Sequence, residues 1–141
     1  MRLSLAVIYL VFLGYLVFFA PRRRNKVIRS ITLTPLKSTL ADYRNFAGYY
    51  PLKFYIDFFG NIFVFLPVCF AVKFLFPFAR MWQVLVFGFL LSIFIETLQY
   101  VFEVGYSEID DVILNTRGTG LGILIYKLMS MRPLFRKRAD R

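Results

Sequence analysis

The stretch "EIDDVILNTRGTGLGILIYKLM", residues 108–129, opens on three carboxylates and runs unbroken into apolar sequence. At 3.6 residues per turn, Asp111, Asn115, Gly118 and Gly122 fall on one helical face. The remaining faces are mostly apolar. A water-soluble helix hides its apolar stripe and shows its polar side. Here the polar and small residues form the narrow stripe, so the segment reads as a membrane helix with an inward polar face.

The rest of the chain carries the same character. Its 141 residues are 59% hydrophobic, 20% aromatic and only 18% charged. That composition points to an all-α integral membrane protein, and the length allows a single domain. Apolar runs at 3–20, 57–78 and 82–103 join the run at 110–129. Each is close to the roughly 20 residues a spanning helix needs, so four transmembrane helices are expected. The first run is read as an uncleaved helix. Its heavier basic cluster follows it, and no small-residue cleavage site appears. The long connection 21–56 holds Pro35 and Pro51, and Asp42 or Asn45 is available to cap a short turn. Its aromatic residues suit the headgroup zone, so it is expected to form an interfacial loop. A basic tail, 130–141, ends the chain.

The net charge of +10 does not point to nucleic acid, because the basic residues sit beside the apolar runs as "PRRRNK" and "RPLFRKR". That placement suits anionic lipid headgroups. Cys69 is the single cysteine, and histidine is absent. An intramolecular disulfide is excluded, a zinc site is disfavoured, and no Ser–His or Cys–His nucleophile pair can form.

The polar stripes crowd towards one leaflet. On the third run Gly88, Ser92, Glu96, Gln99 and Glu103 recur at helical spacing, and on the second run Asp57 and Asn61 are one turn apart. Four crossings put the 21–56 and 104–109 connections on the same side. Asn61, Glu96 and Asn115 then lie within about one or two turns of that side. Inward-facing, they meet in one pocket. Each residue also has a plainer reading. Gly118 and Gly122 allow close helix packing, and Asn61 and Gln99 suit interhelical hydrogen bonds. Asp110 and Asp111 suit a solvated helix N-terminus. Glu96 is costlier to explain away, because a carboxylate at depth costs about 2.5–3.5 kcal/mol on insertion scales. Lysine and arginine bias conflicts between the 21–26 cluster and the tail. The 104–109 connection, without either residue, favours an exterior site and cytoplasmic termini.

"NIFVFLPVCF", "ETLQY" and "EIDDVILNTRGTGLG", in that order and preceded by "LTPL", resemble the VanZ-like family of small bacterial membrane proteins. The resemblance covers about residues 31–127 and puts the family's polar and structural positions on Pro35, Asn61, Pro67, Glu96, Gln99, Asp111, Asn115, Gly118 and Gly122. It implies a plasma-membrane location and a link to teicoplanin-type glycopeptide resistance, hence to lipid-linked cell-wall precursors. Three positions depart from the pattern. Cys69 stands where glycine is frequent, Glu108 where aspartate is usual, and Arg117 where an apolar residue is usual. Arg117 must snorkel to headgroups or pair with an acid such as Glu103.

Three functions remain open at this point. In the first, Asn61, Gln99, Glu108, Asp110 and Asn115 bind a polar lipid headgroup. Glu96 and Asp111 are then the candidate catalytic acids, and Asp110 and Asp111 could hold Mg²⁺ through waters. The second is a small transporter or proton relay. The third is a structural or partner-binding bundle.

Overall fold

A computed structural model describes residues 2–19, 31–46, 51–103 and 107–131. The basic cluster 21–26 and the tail 132–141 lie outside the described residues, as do the side chains of Asp42, Asn45 and Asp57. Five helices are present among the described residues: α1 (Arg2–Phe19), α2 (Lys37–Phe46), α3 (Pro51–Leu75), α4 (Met81–Val101) and α5 (Ile109–Ser130). Two short strands, β1 (Ile31–Thr32) and β2 (Ser107–Glu108), pair in parallel.

The apolar runs become helices with shifted ends. The largest shift is in α3, which begins at Pro51 rather than near residue 57. Proline is well suited to a first helical position, because its missing N–H has no intrahelical partner there. Pro67 lies inside α3, which stays helical through it. The expected interfacial loop therefore contains a strand, a helix and the first turn and a half of α3. Within the described residues, α3 from Phe54 to Leu75 and α4 are long and apolar enough to cross a membrane. The described apolar part of α1 is shorter.

Beside an apolar core, the described residues bury many polar side chains and expose many large apolar ones. Phe63, Trp82, Leu90, Phe94 and Leu124 are exposed, whereas Ser92, Glu96, Gln99, Asp110, Asn115 and Thr119 are buried. Hydrocarbon surroundings favour that arrangement, because polar groups must find partners inside the protein.

Close helix approach makes it workable. A Cβ on Gly118 would fall on the carbonyl oxygen of Ile62, and one on Gly122 on that of Leu66. The two contacts advance together along both helices, so α3 and α5 run in the same direction. Gly88 of α4 lies against the side chain of Thr119 in the same way. Further along, Asn115 Nδ2 donates to Ser92 Oγ at 2.9 Å, so α4 runs opposite to α5. Helix α1 joins through Tyr9, whose hydroxyl donates to the carbonyl of Val64 at 2.8 Å. Leu13 adds to an apolar cluster with Phe65, Val68, Cys69, Val72 and Val84. At the α3–α4 turn, Lys73 Nζ donates to the carbonyls of Pro77 and Ala79, as expected for a cation at a helix C-terminus.

The glycine contacts yield a direct expectation. Gly118→Ala and Gly122→Ala each force a methyl against backbone that cannot rotate away. Overpacking of this kind destabilises by about 1–3 kcal/mol. Thermal unfolding in detergent, followed by Trp82 fluorescence, should show a lowered midpoint for both. Leu121→Ala, on an exposed face, should leave it nearly unchanged.

Candidate polar cleft at the start of α5

Strand β2 and the first turn of α5 bring the acids together. Glu108 is the N-cap of α5, with extended backbone (φ −125°, ψ 128°). Its N–H donates to Glu96 Oε2 at 3.1 Å, which ties the start of α5 to α4. β1 pairs with β2 through Ile31–Ser107 and Thr32–Glu108. The connections preceding α2 and α5 therefore share one end of the bundle.

Asp110 and Asp111 are adjacent but differently placed. Asp110 is 3% exposed. Its Oδ1 accepts from the N–H of Leu36 at 2.5 Å, and its Oδ2 accepts from the N–H and hydroxyl of Thr39, both at 2.9 Å. Of the two sequence readings for this residue, a solvated helix N-terminus does not describe it. Asp111 is half-buried, and its Oδ1 accepts from Asn61 Nδ2 at 2.5 Å. Glu96, Glu108 and Asp111 each make further interactions beyond these.

A small open cleft lies where these groups meet. Glu108, Asp110 and Asp111 line it together with Phe54, Phe58, Thr39 and Leu114. The two phenylalanine rings stack, with centroids 5.8 Å apart, and the edge of Tyr43 meets Phe54 at 5.6 Å. Carboxylates accept hydrogen bonds and aromatic faces offer apolar stacking surface. The combination suits a ligand bearing hydroxyl or N–H donors on a partly apolar frame. Among the described residues, no three acid or cysteine side chains gather as a metal-binding group.

The other candidate residues lie off the cleft. Asn115 bridges to Ser92, and its main-chain carbonyl accepts a 3.4 Å bond from Thr119 Oγ1. Its Oδ1 has no partner. Gln99 is fully buried on α4, with neither amide atom partnered. Glu96 lies off the cleft lining and is tied to it by the bond from the Glu108 N–H. Pro35 sits in the turn before α2 and Pro67 inside α3. Arg117 is exposed on α5, and no ion pair to it occurs among the described residues. Thr39, Phe54, Phe58 and Leu114 are the lining residues that sequence reasoning did not single out. The aromatic richness of 43–55 marked the interface, but nothing local distinguished Phe54 or Thr39.

The family model VanZ/LLP1 matches residues 6–130. The chain is 31% identical over 143 residues to Protein VanZ of Enterococcus faecium, an alignment covering 98% of this chain and 80% of that protein. No solved structure matches.

The orphaned Gln99 carboxamide supplies a test of the buried polar face. A buried polar group without a partner costs about 1–3 kcal/mol. Gln99→Leu should therefore raise the unfolding midpoint in detergent. A lowered midpoint would mean that the folded protein satisfies Gln99 through a bound molecule.

Proposed function

The chain belongs to the VanZ/LLP1 family, and from that premise we propose that it is a multi-pass plasma-membrane protein that binds the polar headgroup of a lipid-linked cell-envelope intermediate. The cleft beside Asp111 is the binding site. The observation that carries this reading is the composition of that cleft, which combines carboxylate acceptors with a pair of stacked phenylalanine rings. A sugar or peptide headgroup presents the complementary surface of donors on an apolar frame. Asp111 is the carboxylate that meets the ligand, and Asn61 orients it. Glu96 acts through the N–H of Glu108, which holds the acidic wall in position. Binding of this kind, at the surface of the envelope-facing leaflet, connects the protein with tolerance of teicoplanin-type glycopeptides. A transport pathway has less support. Beyond Thr119, the interior is filled by Phe65, Val68, Cys69, Val72 and Val84.

Expression in a glycopeptide-sensitive Gram-positive host tests the reading through teicoplanin susceptibility. Asp111→Asn, folded and inserted, should abolish any protection that the natural chain confers. Glu96→Gln keeps an oxygen that can accept from Glu108 and should retain most of it, whereas Glu96→Leu should lose it. Complete loss in Glu96→Gln would instead give the Glu96 charge a direct chemical role. Full protection by Asp111→Asn would remove the cleft from the function.

Four crossings with cytoplasmic termini form part of the proposal. In a Cys69→Ala background, Thr34→Cys and Ser107→Cys should react with an impermeant maleimide from outside intact cells. Ser130→Cys should react only after permeabilisation. Labelling of all three from one side would require a re-entrant segment.

A further inference from the structure

Helix α2 lacks a cap of its own. Lys37 is its first residue, and the Leu36 carbonyl accepts the first intrahelical bond, from the Leu40 N–H at 2.9 Å. Leu36 thus stands at the N-cap, where serine, threonine, aspartate or asparagine normally supplies an acceptor. Leucine supplies none. It also holds a left-handed backbone, φ 63°, which a bulky side chain rarely adopts.

Asp110 provides what is missing from across the fold. In a capping box, the N-cap side chain bonds the N–H of the third helical residue, and that residue's side chain bonds the N-cap N–H. Here the third helical residue is Thr39, and one carboxylate on α5 takes both roles. Asp110 Oδ1 accepts from Leu36 N–H and Oδ2 from Thr39 N–H, with the Thr39 hydroxyl as a third donor. A negative charge at this position is also favoured by the α2 dipole.

Helix α2 packs against α3 and α5 with much of its described surface open. Among its described residues Leu40, Tyr43 and Arg44 are exposed, and the edge-on ring contact of Tyr43 with Phe54 ties it to α3. At ten residues, α2 is shorter than the roughly 12–15 residues at which isolated helices become even marginal. Its position depends on tertiary attachment, and Thr39, the residue latched by Asp110, forms part of the cleft.

We propose that Asp110 is a positioning residue, a latch on α5 that caps α2 in trans and so sets α2 as a lid along the cleft. The functional consequence of the latch rests on the cleft reading above. The latch itself does not.

The test uses the full chain in lipid nanodiscs, with Cys69→Ala and paired spin labels. One pair, Leu40→Cys with Leu128→Cys, reports α2 against α5. A control pair, Leu85→Cys with Leu128→Cys, reports α4 against α5. Asp110→Asn replaces one acceptor oxygen by a donor facing an N–H. It should broaden or shift the α2–α5 distance by several ångströms and speed amide exchange at Leu36 and Thr39 about ten-fold or more. The control distance and exchange at Asn115 should stay unchanged. Asp110→Glu, which keeps the carboxylate, should lie closer to the natural chain than Asp110→Asn does. Unchanged α2 distances and exchange in Asp110→Asn would overturn the latch. So would an equal change in the control pair, which would make Asp110 a general stability residue. If Asp110→Asn does not fold, Thr39→Val removes one of the three bonds and should loosen α2 in the same direction. An α2 that stays fixed in Thr39→Val then overturns the proposal. Teicoplanin susceptibility separates the two readings. A mobile α2 with protection intact leaves the latch standing and removes the cleft from the function.

Discussion

The contact of α5 with the carbonyl oxygens of α3 is the constraint from which the rest of the structure follows. At Gly118 and Gly122 there is no room for a single added carbon. Small residues let helix backbones approach, and in hydrocarbon such packing supplies much of the association energy that the hydrophobic effect supplies in water. Once α3 and α5 are this close and run in the same direction, Asn61 can reach Asp111. The same approach leaves Thr119 facing Gly88, which brings in α4 and sets Asn115 beside Ser92. A larger residue at either α5 glycine would separate the helices and, with them, the polar groups that now pair.

The charged groups are sorted by helix end. Asp110 and Asp111 lie in the first turn of α5, with Glu108 at its N-cap, and Asp110 also faces the N-terminus of α2. Lys73 lies in the last turn of α3, and Lys127 in the last turn of α5. Partial charges at helix termini favour this distribution. It gathers the three acids of residues 108–111 at one end of the bundle. Glu96 joins that end from the C-terminal half of α4, by accepting the N–H of Glu108. Glu96 and Asp110 thus each accept main-chain N–H groups at the start of another helix. Asp111 is bonded to an asparagine and lines the cleft.

This division matters for how relatives with few polar positions are read. Glu96 and Asp110 are both buried, and both accept main-chain N–H groups from segments that precede or begin other helices. Loss of either would leave a main-chain N–H at the start of another helix without this acceptor. A phenotype at such a position is therefore not evidence that the residue touches substrate. The form of the replacement is the informative variable. Glutamine or asparagine keeps an acceptor, while leucine or alanine removes it.

Helical class, the polar stripes and the crowding of polar groups towards one end were all legible in the sequence, because they depend on local periodicity. Gly118, Gly122, Asp111 and Asn115 share a face in any α-helix, whatever surrounds it. The pairing of β1 with β2, the existence of α2 and the burial of Asp110 were not legible. Residues 31–32 are β-branched, but two such residues shortly before a proline are too short a run to mark a strand. Leu36 carries no capping side chain, and the aspartate that does the capping is 74 positions away. The early start of α3 was hidden for a related reason, since Pro51 and the aromatic residues after it fit an interfacial loop as well as a helix. Tertiary structure alone decided these features, because a cap or a strand partner supplied from across the fold leaves no mark in the segment that receives it.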